Sequence, residues 1–175
     1  LSIPEHSTLR ERIEAFPLDE PGAALPFSIR LVREQGWSHA FAAGAVREYK
    51  RFVLLAVEAG HPVTPSEVVD QVWHLHLIYT RSYWHGLCAG VLRQDLHHGP
   101  TQGGMAEQEK FVDWYARTLE SYRRVFGEEA PLEIWPEAAA RFAHAASGRW
   151  VDASRFWIIP RPAWTRWSWW RGRFS

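Results

Sequence analysis

Two stretches of this chain share one apolar spacing, and that spacing dictates most of what the chain can become. Phe41, Ala45, Tyr49, Phe52 and Ala56 recur at intervals of 4, 4, 3 and 4, and Phe111, Tyr115, Leu119, Tyr122 and Phe126 repeat the same order of intervals. At 3.6 residues per turn each series falls on one face, so each stretch predicts a long helix that must bury a stripe. The punctuation agrees. Ser38 can cap the first helix, Gly60 suits the left-handed residue that ends it, Pro62 forbids continuation, and Gly127 closes the second.

Shorter helices are expected over 4–16, 28–35, 65–79, from Thr80 or Ser82 to Leu92, and over 137–146. Thr64-Pro65-Ser66-Glu67 reads as a capping box with proline at the first helical position. Sustained alternation with β-branched residues is absent. Trp157-Ile158-Ile159 is too short to build a sheet, and no repeat of solenoid length occurs. The expected architecture is all-α: a compact bundle of five or six helices, residues 1–152, followed by an irregular Trp/Arg-rich tail, residues 153–175.

Composition narrows the function classes. Of the 175 residues, 46% are hydrophobic and 23% charged, which excludes disorder as the main state. The single cysteine, Cys88, excludes an intrachain disulfide and a cysteine-only metal site. The net charge of zero conceals an acidic body and a basic tail. Residues 1–152 hold 15 basic and 20 acidic groups, a net of −5, and residues 153–175 hold five arginines and no acid. No apolar run is long enough to cross a membrane, and the first 30 residues lack a signal-peptide pattern. A cytoplasmic protein is therefore expected, with the tail as a route to peripheral membrane contact.

Chemistry concentrates between Asp70 and Thr101, which contains five of the nine histidines: His74, His76, His85, His97 and His98. On a regular helix Asp70 and His74 are i and i+4 and share a face. His74 and His76 point about 200° apart and cannot chelate one ion together. Leu77 and Ile78 add apolar bulk, so both sides of this helix are expected to be covered. The following loop, 95–104, can bring His98 back to Asp70 and His74. Those three make an N/N/O donor set with an open position, suited to catalytic zinc or iron. His76 is a lesser candidate ligand on the far side. The alternative is a histidine held by a carboxylate in a structural hydrogen-bond network. His85 and Cys88, at i and i+3, form a further candidate zinc pair, against the alternative that Cys88 is a small buried hydrophobe. Glycines in the loop precede no lysine, so it is not a Walker-type phosphate loop, and no His-Glu-x-x-His helix exists.

Val69-Asp70-Gln71-Val72-Trp73-His74-Leu75-His76, then Tyr83, then Leu96-His97-His98-Gly99-Pro100-Thr101 resembles the N-terminal helical region of plant glycine-rich-domain proteins and their smaller bacterial relatives. The shared pattern is Asp-x-x-Trp-His-x-His, a tyrosine, and a loop histidine and threonine. It selects Asp70, Trp73, His74, His76, Tyr83, His98 and Thr101. Trp114, Tyr122 and Phe126-Gly127 also match, so the resemblance spans roughly residues 25–136. The chain departs from it at Gly99 and Pro100, where acidic residues often stand, and in lacking a glycine-rich C-terminal region. The resemblance implies a defined polar site around His74 and His98 and brings no established reaction.

The tail crowds Trp164, Arg166, Trp167, Trp169, Trp170 and Arg171 into a few residues. Three occupants suit it: an aromatic groove of its own domain or of a protein partner, an anionic membrane surface, or stacked single-stranded bases. Protein packing is the favoured reading and nucleic acid the least. Two functions are therefore expected: a helical binding or assembly module with a central Asp/His polar site and a partner-docking tail, or a metal-dependent enzyme using Asp70, His74 and His98.

Overall fold

α3, His39–Glu58, is the axis of the described helices. It packs against α1 (Leu9–Ala15), α2 (Phe27–Gln35), α4 (Glu67–Ile78) and α5 (Met105–Phe126). A π-helix, Arg81–Leu92, follows α4 and packs on it and on α1, and α6 (Ala138–Ala143) packs on α5. The computed structural model describes residues 7–99 and 105–143, all within one unit, Leu1–Ala145. Thr101, Trp157-Ile158-Ile159 and the tail residues Trp164, Arg166, Trp167, Trp169, Trp170 and Arg171 lie outside the described residues. The described residues form six α-helices and one π-helix with no strand, as an all-α bundle requires. No helix among them is long and apolar enough to cross a membrane.

The stripe on α3 forms the centre of the core. Ala45, Tyr49 and Phe52 are buried there, joined by Leu55 and by Tyr115 and Tyr122 of α5. Each large side chain buried this way contributes about 1.5–3 kcal/mol from apolar area alone. Trp135, from the turn after α5, completes the layer against Phe52, Tyr115 and Tyr122, with ring centroids 6.4, 6.1 and 6.0 Å away.

Helix starts follow local hydrogen-bond chemistry. The true capping box is Thr8-x-x-Glu11: the Thr8 hydroxyl accepts from the Glu11 amide at 3.2 Å, and the Glu11 carboxylate accepts from the Thr8 amide at 2.7 Å. The box expected at Thr64–Glu67 does not form. Ser66 caps α4 instead, accepting from the Val69 amide at 3.2 Å. The Thr64 amide is engaged elsewhere, donating to Thr118 Oγ1 at 2.9 Å, so Glu67 has nothing to reach back to.

The segment after α4 corrects a second expectation. Residues 81–92 are helical, but wound with i→i+5 bonding, a rare geometry usually confined to one turn. Arg93, at φ 57°, adopts the left-handed conformation that ends it. A π-turn takes more than four residues, so positions three apart no longer stack. His85 therefore faces solvent while Cys88 is fully buried, so the candidate His85–Cys88 zinc pair does not form and Cys88 is the small buried hydrophobe of the alternative reading. Burial pushes the Cys88 thiol up, which is the behaviour of a small core side chain.

Candidate metal centre

α4 presents Asp70 and His74 on one face, one turn apart, because their spacing of four residues stacks them. The loop that leaves the π-helix returns His98 to that face. His98 Nε2 donates to Asp70 Oδ1 at 2.8 Å, and His74 Nε2 lies 3.7 Å from Asp70 Oδ2. One donor atom from each of Asp70, His74 and His98 falls within 4.8 Å of the others. A tetrahedral ion with bonds near 2.1 Å needs donors about 3.4 Å apart, so small side-chain rotations close the set.

The site is open on one side. Side-chain exposure is 49% at His74, against 23% at Asp70 and 21% at His98. The expectation that α4 is covered on both sides is corrected here: His74 and Ile78 both face solvent. The inner wall is aromatic. The Trp73 ring meets His98 at 4.4 Å, and His74 meets His98 at 4.6 Å.

The position of His98 traces back to Tyr83. This buried tyrosine of the π-helix accepts from Trp73 Nε1 at 2.9 Å, and its hydroxyl donates to the Leu96 carbonyl. One oxygen thus ties α4, the π-helix and the ligand-bearing loop together two residues before His98. Burial raises the Tyr83 pKa, so the hydroxyl keeps the proton it donates. Tyr83 is part of the family-like pattern, but spacing alone gives it no role.

His76 stands apart from the three donors, on the far side of α4 as its angle from His74 requires. It is fully buried on the other side of α4, with Nδ1 2.9 Å from the Tyr49 hydroxyl and Nε2 3.0 Å from Ser82 Oγ. Both nitrogens are thereby engaged within the core. Burial, reinforced by the nearby Lys50 charge, lowers its pKa to about 4, which keeps it neutral. His97 is 76% exposed, near Asp95 at 3.9 Å and against the Trp84 ring at 5.5 Å, and does not join the three donors.

A second buried carboxylate escaped the sequence reading. Glu48 on α3 has no exposed surface and accepts from the Tyr122 hydroxyl at 2.9 Å and from Trp135 Nε1 at 3.1 Å. Arg51 Nη1 lies 3.4 Å from it and reaches on to Glu128 at 2.6 Å. The signal was present: Ala45, Glu48 and Phe52, at spacings of 3 and 4, put the carboxylate on the buried stripe.

No family model, curated protein or solved structure matches the chain.

Proposed function

We propose that this domain is a helical binding module that holds one divalent transition metal, zinc or iron, through Asp70, His74 and His98. The observation that carries the reading is the convergence of a carboxylate and two imidazoles, from two separate elements, within 4.8 Å. Two imidazoles and one carboxylate are borderline donors that suit zinc and iron(II) better than magnesium or calcium. Three protein donors leave coordination positions for water or a substrate, and the exposed flank at His74 gives access to them. Asp70, His74 and His98 would hold the ion, and the ion would supply Lewis acidity to whatever occupies those positions. The Trp73–Tyr83–Leu96 chain supports the reading, because it fixes the loop that delivers His98, as outer-shell partners of metal ligands do. The resemblance to the glycine-rich-domain proteins rests on the same residues. We also propose that the Trp/Arg tail is the partner-docking element, a reading that rests on its composition.

The second reading is a metal-free network, and the 2.8 Å contact between His98 and Asp70 favours it, since that bond gives the imidazole N–H an acceptor and the carboxylate a donor without an ion. Elemental analysis of protein purified without a histidine tag separates the two. The metal reading expects close to one equivalent of zinc or iron in the wild type and a large loss in His74→Ala and His98→Ala. Wild-type protein that takes up no zinc, iron, cobalt or manganese on dialysis leaves the hydrogen-bond network.

A further inference from the structure

The end of α1, the start of α2 and the middle of α3 line an open cleft that the metal centre does not use. It holds about 300 Å³, the lower end of the range for small-molecule sites. Phe16, Leu18, Phe27 and Val46 form its apolar walls, and Lys50, Asp19 and Ser28 are its polar groups. The walls are braced from behind: the rings of Phe16 and Phe27 lie 5.9 and 6.0 Å from the buried ring of His76.

The polar groups are asymmetric. Asp19 is spent, since one oxygen accepts from the Ser28 amide and the other from the Ser28 hydroxyl, each at 2.8 Å. Lys50 is not. Its ammonium carries three donors, and two go to the carbonyls of Glu14 and Phe16, both at 2.7 Å. Among the described residues no acceptor takes the third. Burial lowers the Lys50 pKa, so the ammonium gains from an anion placed beside it. The first turn of α2 lines the same space through Phe27 and Ser28, and its N-terminal dipole is already met by Asp19, which leaves Lys50 as the group for an incoming anion.

We propose that this cleft binds a small monocarboxylate with a short apolar chain, its carboxylate on Lys50 and its chain between Phe16, Phe27 and Val46. One remaining ammonium proton matches one carboxylate. The fixed Asp19 charge opposes any anion here and a dianion such as phosphate about twice as strongly, so the single charge of a carboxylate is the better match to Lys50. The volume equals roughly ten molecules of liquid water, which admits a chain of about four to eight carbons.

Hexanoate titrated into the full-length protein, followed by calorimetry and by amide chemical shifts, tests the assignment. The expected result is saturable binding with Kd near 1 mM, ordinary for a ligand of about eight heavy atoms, with shifts centred on Phe16, Phe27 and Lys50. Hexylamine and hexanol should bind at least tenfold more weakly. Lys50→Met should weaken hexanoate tenfold or more. Lys50 also ties down the end of α1, so Val46→Trp serves as the second variant: it fills the cleft, leaves Lys50 in place and should also abolish binding. Chelator treatment should change nothing, which separates this site from the metal centre. No saturation by about 20 mM hexanoate, or undiminished binding in Val46→Trp, overturns the proposal.

Discussion

Asp70 and Glu48 are both carboxylates drawn into the fold, and they differ in what surrounds them. Glu48 is sealed between α3 and α5 and is met by a phenol, an indole and a guanidinium. The indole and guanidinium can only donate, and the phenol spends its proton on Glu48, so the cluster is a closed account of charge and hydrogen bonds. Asp70 is partly exposed and is met by two imidazoles. An imidazole nitrogen can give up its proton and offer a lone pair, so the same carboxylate there belongs to a set able to take an ion. Burial alone does not separate a closed structural carboxylate from a candidate metal ligand; the chemistry of its neighbours does.

The largest effect that sharpens this contrast is expected at Glu48. Glu48→Ala leaves the Tyr122 hydroxyl and Trp135 Nε1 without their buried acceptor, while Arg51 keeps Glu128, and should cost about 3–5 kcal/mol. For a chain of this size that is a fall in Tm of at least about 6 °C. A Tm unchanged within measurement error would break the comparison.

Alkaline pH probes the same cluster. Burial first, and then the Glu48 charge, raise the Tyr122 pKa from 10.0 to about 12. A raised folded pKa stabilises fully below the unfolded value and is lost as pH rises through the folded one. Tyr122 should therefore contribute up to about 3 kcal/mol below pH 10, declining between pH 10 and 12. Tyr49, Tyr83 and Tyr115 shift in the same direction, so the comparison to make is wild type against Tyr122→Phe. Urea midpoints for the variant should fall less steeply across that window. Parallel slopes would assign the alkaline loss to the other tyrosines.

On the Asp70 side the effects should appear in binding. Tyr83→Phe removes the hydroxyl that holds the Leu96 carbonyl and should weaken zinc or iron affinity about 10–100-fold. Its far-ultraviolet circular dichroism should stay that of the wild type. Retained affinity would show that His98 is placed without Tyr83. The smallest effect is the stability of Asp70→Asn without metal. The polar contacts it removes are partly exposed, so the cost should stay within about 1 kcal/mol by urea denaturation. A loss as large as that of Glu48→Ala would make Asp70 a core element like Glu48.

Most of the fold was legible because its signals are local. The stripes of α3 and α5, the Ser38 cap and the stops at Gly60 and Gly127 depend on residues within one or two turns of each other. At α4 the capping box was misplaced because a threonine and a serine compete there, and a distant contact with Thr118 decides between them. The winding of residues 81–92 was hidden, since nothing in Arg-Ser-Tyr-Trp-His-Gly-Leu-Cys distinguishes i→i+5 from i→i+4 bonding. The candidate site was readable in its helical half, where angle arithmetic joined Asp70 to His74 and sent His76 away. Its loop half, and the role of Tyr83, depend on how the chain returns after Arg93.

That winding also makes chain length between the two halves of the site a constraint of its own. Asp70 and His98 are 28 positions apart, and 12 of the intervening residues are coiled more loosely than an α-helix. Removing one residue from that coil lets it tighten toward α winding, which changes both the rise and the angle at which the chain leaves Arg93. Every side chain of the site would survive such a deletion, yet His98 would no longer arrive at Asp70. Relatives of this domain that keep the site should therefore tolerate exchanges of letters within 81–92 far better than gaps.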